Sequence, residues 1–272
     1  MITGLLIATV LLAAEPAAKA AARPDAPPGG HFKPLPYTYV EKGQEKQGKF
    51  YLFEPRSIDP TKRYPMLVWA GWGDLLGPLM FNDPAYVEKI EFFVVICVHT
   101  EEINEIAELV TKGYPIAPDR VYAAGASHGG WVCLDAGMRR PDLFAAIVPM
   151  GSGGANVSRA SELANTTIWA FHSRDDTFVP STGDRELVAA VKRAGGNIGL
   201  TLIPGDYHDC WTAAFRQYGV MDWMLDQSRA AWVCWTPPGS RAWKWWHLLP
   251  LPCGIGATLF WARFREQRRR AV

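Results

Sequence analysis

At 272 residues the chain is long enough to bury a sizeable core, and one α/β domain with tails is the arrangement its length suggests. A net charge of +1 with 20% charged residues offers no basic surface for a nucleic-acid partner, since the basic residues gather only at the C-terminus. The five cysteines, Cys97, Cys133, Cys210, Cys234 and Cys253, lack the CxxC spacing of a zinc site.

In chain order, Gly4 to Ala14 is an apolar run of signal-peptide length, and Ala18-Lys19-Ala20 supplies a small-x-small cleavage pattern. Residues 1–20 therefore read as an export signal, or as an N-terminal anchor if they stay attached. Residues 21–36, with Pro27-Pro28-Gly29-Gly30, read as a linker. The folded part is expected from Tyr37, with Phe50 to Phe53 as a strand, Ser57 to Pro60 as a turn and Pro65 to Trp69 as a fully apolar strand. Ala70-Gly71-Trp72-Gly73-Asp74 then leaves that strand as a Gly-rich loop able to aim backbone N–H groups at an oxyanion.

Phe92 to Val98 reads as a third strand. Ile103, Ile106, Leu109 and Val110 give helical spacing to Glu101–Lys112, whose acids fall early, where a helix dipole favours them. The next stretch, Val121-Tyr-Ala-Ala-Gly125-Ala-Ser127-His-Gly129-Gly130, starts as a buried strand and ends in Gly-x-Ser-x-Gly. An apolar segment from Trp131 to Met138 follows. A serine between such a strand and helix stands on a tight turn. Small residues two before and two after it let the backbones pass, and the helix N-terminus beneath favours developing negative charge. Pro141 to Pro149 supplies another strand, and strands alternating with helices imply parallel pairing with functional loops at the strands' C-terminal ends.

Asp119-Arg-Val-Tyr-Ala-Ala-Gly-Ala-Ser127-His-Gly-Gly, followed by Arg140-Pro-Asp-Leu-Phe-Ala-Ala146, resembles the esterase group of the α/β-hydrolase superfamily. That group takes in polyhydroxybutyrate-depolymerase-like and feruloyl-esterase-like enzymes and related peptidases. The resemblance runs from about Tyr37 to Arg229. It implies an α/β fold: a mostly parallel central sheet flanked by helices, with a minimal lid or none. Where the group opens its oxyanion loop with His-Gly, this chain has Ala70-Gly71. The stretch between Val98 and Glu105 is also short, which implies a shallow, open site.

The resemblance also implies a Ser-Asp-His triad. Thr167 to Phe171 is the strand before the acid, and the group's Phe-His-Gly-x-x-Asp-x-x-Val-Pro pattern, set on Phe171 and Val179-Pro180, puts the acid at Asp176, with Asp175 as the alternative. His172 precedes the acid and reads as a packed loop histidine. Leu200 to Ile203 is the last strand. His208-Asp209-Cys210-Trp211 matches the group's catalytic histidine loop, and His208 follows both Ser127 and Asp176, the hydrolase order. The roles implied are Ser127 as nucleophile, His208 as base and Asp176 as its orienting acid. The backbone N–H groups of His128 and Trp72 would form the oxyanion hole. Trp131 and Trp211, with Trp72, are candidate acyl contacts. Neither cofactor nor metal is needed.

Thr212 to Gln227 reads as a helix pair broken near Gly219; without that break a Cys210–Cys234 bridge could not close. The catalytic domain is placed at 37–235, with a linker at 236–244. Residues 245–262 form an apolar stretch of membrane-spanning length, interrupted by His247, Pro250 and Pro252, and the arginines of 263–272 follow as a cytoplasmic tail. The expectation is an exported serine hydrolase of carboxylic esters, small or polymeric, periplasmic or on the outer face and anchored by its C-terminus. The alternatives are a serine peptidase of the related group and an inactive domain of hydrolase type that binds a polymer.

Overall fold

The computed structural model describes residues 32–71, 86, 88–98 and 101–230. The expected export signal (1–20), the Gly-rich loop from Trp72 onward, the second linker (236–244), the expected anchor (245–262) and the arginine tail (263–272) lie outside the described residues. Among the described residues no helix is long and apolar enough to cross a membrane.

A hairpin opens the fold: β1 (Lys33–Glu41) pairs antiparallel with β2 (Gln44–Phe53). β1 begins inside the stretch read as linker, and the reason lies in its prolines. Pro34 and Pro36 sit two apart on an outermost strand, so their missing N–H groups fall on the unpaired side, the one place where a sheet tolerates proline. Sequence alone reads the same prolines as linker signals.

Then follow β3 (Tyr64–Gly71), β4 (Phe93–Val98), α1 (Ile103–Gly113), β5 (Ile116–Ala126) and α2 (His128–Arg139). After them come β6 (Ala146–Met150), β7 (Thr167–Ser173), α3 (Thr182–Arg193), β8 (Ile198–Ile203), α4 (Trp211–Gln217) and α5 (Val220–Leu225). A 3₁₀ turn spans Val157–Leu163, capped by the Asn156 side chain, which accepts from Ser158 N–H. The described strands form one eight-stranded sheet in the order β1-β2-β4-β3-β5-β6-β7-β8, parallel from β4 through to β8.

Alternation along the strands splits the core in two. From β4, Phe93, Val95 and Cys97 join one cluster while Val94 and Ile96 join the other; from β5, Val121 and Ala123 part in the same way from Tyr122 and Ala124. Both faces are thus buried, which is why these strands read as unbroken apolar runs. The first cluster takes Ile103, Ile106 and Val110 from α1, Val132 and Leu134 from α2 and Leu187 from α3. The second takes Ala214 from α4 with Trp223 and Met224 from α5. The last two helices are separate because Gly219 is left-handed at φ 63°. Cys210 is nevertheless a free, buried thiol donating to the Phe171 carbonyl at 3.5 Å, and Cys234 lies outside the described residues.

The end of the domain is tied back across the sheet. Arg120 donates to the Leu225 carbonyl at 2.6 Å and Tyr122 Oη to that of Gln227 at 2.8 Å, while Ser228 Oγ reaches Asp119 at 2.6 Å. These bonds hold α5 against β5, the strand that delivers Ser127.

Candidate active site

Ser127 stands between β5 and α2 with φ 54° and ψ −122°, one of two non-glycine residues with positive φ among the described ones. A side chain in that region costs about 1–3 kcal/mol, so the surroundings must over-determine it. Its N–H donates to the Met150 carbonyl at 2.7 Å, and its own carbonyl receives the first helical bonds of α2, from Gly130 at 3.0 Å and Trp131 at 3.3 Å. The flanking glycines admit no substitute. A Cβ on Gly125 would stand 2.3 Å from the Gly129 carbonyl oxygen, and one on Gly129 would stand 2.0 Å from that of Ala70. The start of α2 therefore lies backbone to backbone on the end of β3, and the half-buried serine is held out at the sheet's edge.

Asp176 follows β7 and His208 follows β8. Asp176 Oδ2 lies 2.6 Å from His208 Nδ1, and its Oδ1 accepts from the N–H groups of Phe178 at 2.8 Å and Val179 at 3.0 Å. The carboxylate is fully enclosed, whereas the imidazole is 20% exposed. Burial alone would raise the Asp176 pKa; the bond from His208 and the two backbone donors more than reverse this and hold it below the ordinary carboxylate value. Asp175 is exposed, with its own N–H tied to the Gly205 carbonyl at 3.0 Å. Of the two aspartates, Asp176 is the one brought to His208.

His208 is held on both sides. Trp211 meets its ring edge-on at 5.5 Å, and Phe178, 80% exposed, leans on it at 5.9 Å. Its loop is fixed into α4 by Asp209, which accepts from Thr212 N–H at 2.9 Å and Thr212 Oγ1 at 2.8 Å. Ser127 and His208 both border the β6 exit. Ser127 is bonded to Met150, and a Cβ on the next residue, Gly151, would touch the His208 ring at 3.2 Å. Among the described residues no hydrogen bond joins Ser127 Oγ to His208.

A cavity of about 420 Å³ opens over Ser127, lined by Glu101, His128, Trp131, Gly151, Ser152 and Val179. His128 stacks on Trp131 at 5.6 Å, and its Nε2 lies 3.8 Å from Glu101. Trp131 thus stands in the cavity wall, and Trp211 packs against His208. The His128 amide is the first of α2 and lies at the positive end of its dipole. Trp72, the other expected donor, lies outside the described residues. Among the described residues no group of His, Cys, Asp and Glu is placed to hold a metal ion.

Three neighbours of the candidate site carry no signal in the sequence: Glu101 and Ser152 in the cavity wall, and Asp184, which takes His172 as partner. Glu101 and Ser152 carry no pattern of their own. Asp184 belongs to α3, a helix that the sequence reading leaves undrawn.

Comparison with solved structures gives the frame for this geometry. A thermostable esterase superposes with a TM-score of 0.63 at 24% identity, over 72% of this chain and 63% of that one. A ferulic acid esterase of Anaeromyces mucronatus, bound to ferulic acid, gives 0.55 at 16% identity, over 73% and 91%. The chain has the α/β-hydrolase fold. An acylaminoacyl peptidase of Pyrococcus horikoshii shares that fold at a TM-score of 0.57 and 11% identity, over 75% of this chain but only 43% of the peptidase. No family model matches the sequence, and no curated protein matches it. Within the α/β-hydrolase fold, Ser127, Asp176 and His208 all stand at C-terminal ends of parallel strands, where such sheets carry their ligands.

Proposed function

We propose that this protein is a serine hydrolase that cleaves carboxylic esters through an acyl-enzyme. The observation that carries the reading is the convergence at the β6 exit. An enclosed carboxylate bonded to an imidazole at 2.6 Å lies beside a serine held on a strained turn at a helix N-terminus.

In this reading Asp176 fixes His208 with the proton on Nδ1, leaving Nε2 to accept the hydroxyl proton of Ser127. The serine oxygen attacks the acyl carbonyl, and the oxyanion is met by the His128 amide, with Trp72 as the second donor. His208 returns the proton to the leaving alcohol, and water repeats the sequence to free the acid. Trp131, stacked with His128, gives the acyl group an apolar wall.

A peptidase is the second reading, because acylaminoacyl peptidases share the fold. The ester reading is favoured by extent: the chain spans most of the ferulic acid esterase but less than half of the peptidase. The chain also spans just under two thirds of the thermostable esterase. Export and a C-terminal membrane anchor belong to the proposal on the residues alone. Purified full-length protein should be offered p-nitrophenyl esters, feruloyl esters, polyhydroxyalkanoate and acylaminoacyl peptides. Ester turnover at least about a hundredfold above amide turnover in kcat/KM, some 2.7 kcal/mol of transition-state preference, supports the esterase. A preference for the peptides would establish the second reading, and binding without turnover would establish an inactive polymer-binding domain.

A further inference from the structure

Behind Asp176 and His208 lies a second histidine–aspartate pair, which the proposed reaction does not use. His172, near the end of β7, has a fully buried side chain, and Asp184, in the first turn of α3, is as deeply enclosed. Nδ1 of His172 is in close contact with Asp184 Oδ2. Its Nε2 lies 2.8 Å from the Val179 carbonyl and 3.4 Å from Asp176 Oδ2. The other oxygen of Asp184 accepts from Ser152 Oγ at 2.6 Å, and Ser152 lines the cavity over Ser127.

The protons can be placed from these contacts. A backbone carbonyl only accepts, so Nε2 must carry hydrogen toward Val179. Asp184 accepts from Ser152 through Oδ1; with Asp184 ionised its Oδ2 accepts as well, and Nδ1 also carries hydrogen. Two donors on one ring make an imidazolium, with Asp184 as its buried counter-ion and Asp176 on the far side. The ionisable groups around it are Asp184 from α3 and Asp176 from the loop after β7, with His208 beyond. Cys210, just before α4, is a neutral thiol with its pKa pushed up to about 12. Burial opposes the charge on His172, but the bond and charge of Asp184, the Val179 carbonyl and Asp176 outweigh it and raise the histidine's pKa.

The frame leaves these groups little slack. A Cβ on Gly183 would stand 1.8 Å from the Gly153 carbonyl oxygen, so the loop carrying Ser152 and the turn carrying Asp184 are packed backbone to backbone.

We propose that His172 is a buried imidazolium, held by Asp184 and Ser152, that acts through Asp176 as a positioning residue. It ties down the acid loop at Val179 and sets a fixed positive charge behind Asp176, opposite His208. This rests on the triad reading above. The charge favours ionised Asp176 and works against a second positive charge on the far side of that carboxylate.

Two measurements on full-length protein test it. In ¹⁵N-histidine NMR, with His172 assigned by its loss in His172→Gln, both ring nitrogens should be protonated at pH 8. In Asp184→Asn, which keeps the shape but removes the counter-ion, only one should be. In the pH profile of kcat/KM, Asp184→Asn should move the acid limb upward by about half a pH unit or more, because His172 then gives up its second proton and the positive charge behind Asp176 is lost. KM on the plateau should change less than about threefold, since no substrate contact is removed. A singly protonated, neutral His172 in the parent protein at pH 6 would overturn the proposal, and this is decided even if Asp184→Asn fails to fold. An acid limb that superposes on the parent's would overturn the coupling to His208. A parent protein whose Ser127 is not labelled by a fluorophosphonate would refute the triad reading instead, while the NMR result would still decide the charge on His172.

Discussion

Asp176→Asn is the substitution whose outcome the geometry fixes most tightly. The carboxylate's two oxygens have separate tasks: Oδ1 accepts from two backbone N–H groups, and Oδ2 faces His208 Nδ1 at 2.6 Å. An asparagine keeps the volume, but its carbonyl must take the side of the two backbone donors. Turning the amide over would set NH₂ against two N–H groups and forfeit two hydrogen bonds, about 1 kcal/mol each. The NH₂ is therefore directed at His208 Nδ1, which must become an acceptor and leave its proton on Nε2. That tautomer cannot receive the hydroxyl proton of Ser127, so kcat should fall about 10⁴-fold, the size of the tautomer defect in the Ser-His-Asp template. Because Oδ1's backbone bonds survive, the melting temperature should fall by only a few degrees, corresponding to about 1 kcal/mol. Stopped-flow release of p-nitrophenol, with thermal unfolding on the same sample, reads both quantities. Asp175→Asn, at an exposed carboxylate, should stay within about twofold on both. A tenfold or smaller loss for Asp176→Asn, or the large loss at Asp175 instead, would refute the assignment of the acid.

Other consequences are open to test. Gly129→Ala forces a Cβ to within 2.0 Å of the Ala70 carbonyl oxygen, where only backbone could yield; it should destabilise the fold by about 3 kcal/mol or more in denaturant titration. Gly113→Ala, with nothing within 4 Å, should be neutral or stabilise by up to about 1 kcal/mol. Cys97, Cys133 and Cys210 are buried free thiols with raised pKa values, Cys210 at about 12, so peptide mapping after iodoacetamide at pH 8 should find them unmodified until the protein is unfolded.

What the sequence made legible was whatever depends on local chemistry. The Gly-x-Ser-x-Gly turn could be read because Gly125 and Gly129 are required by backbone approach, and the parallel strands because burial on both faces leaves unbroken apolar runs. The family resemblance points to Asp176 and His208, and these two side chains lie 2.6 Å apart. What stayed hidden depends on partners far along the chain. β1 reads as linker because Pro34 and Pro36 are tolerated only through its place at the edge of the sheet. His172 reads as packed, but its partners, Asp184 twelve residues on and Ser152 twenty residues before it, are brought together by a close contact between two glycine loops.

The central claim is that Ser127 is an activated nucleophile. Intact-mass spectrometry of the full-length protein after brief exposure to a fluorophosphonate tests it most directly. One adduct per chain is expected, mapped to Ser127, absent in Ser127→Ala and slowed at least about a hundredfold in His208→Ala, which lacks the proposed base. Folded protein that stays unlabelled, or an adduct on any other residue, would contradict it.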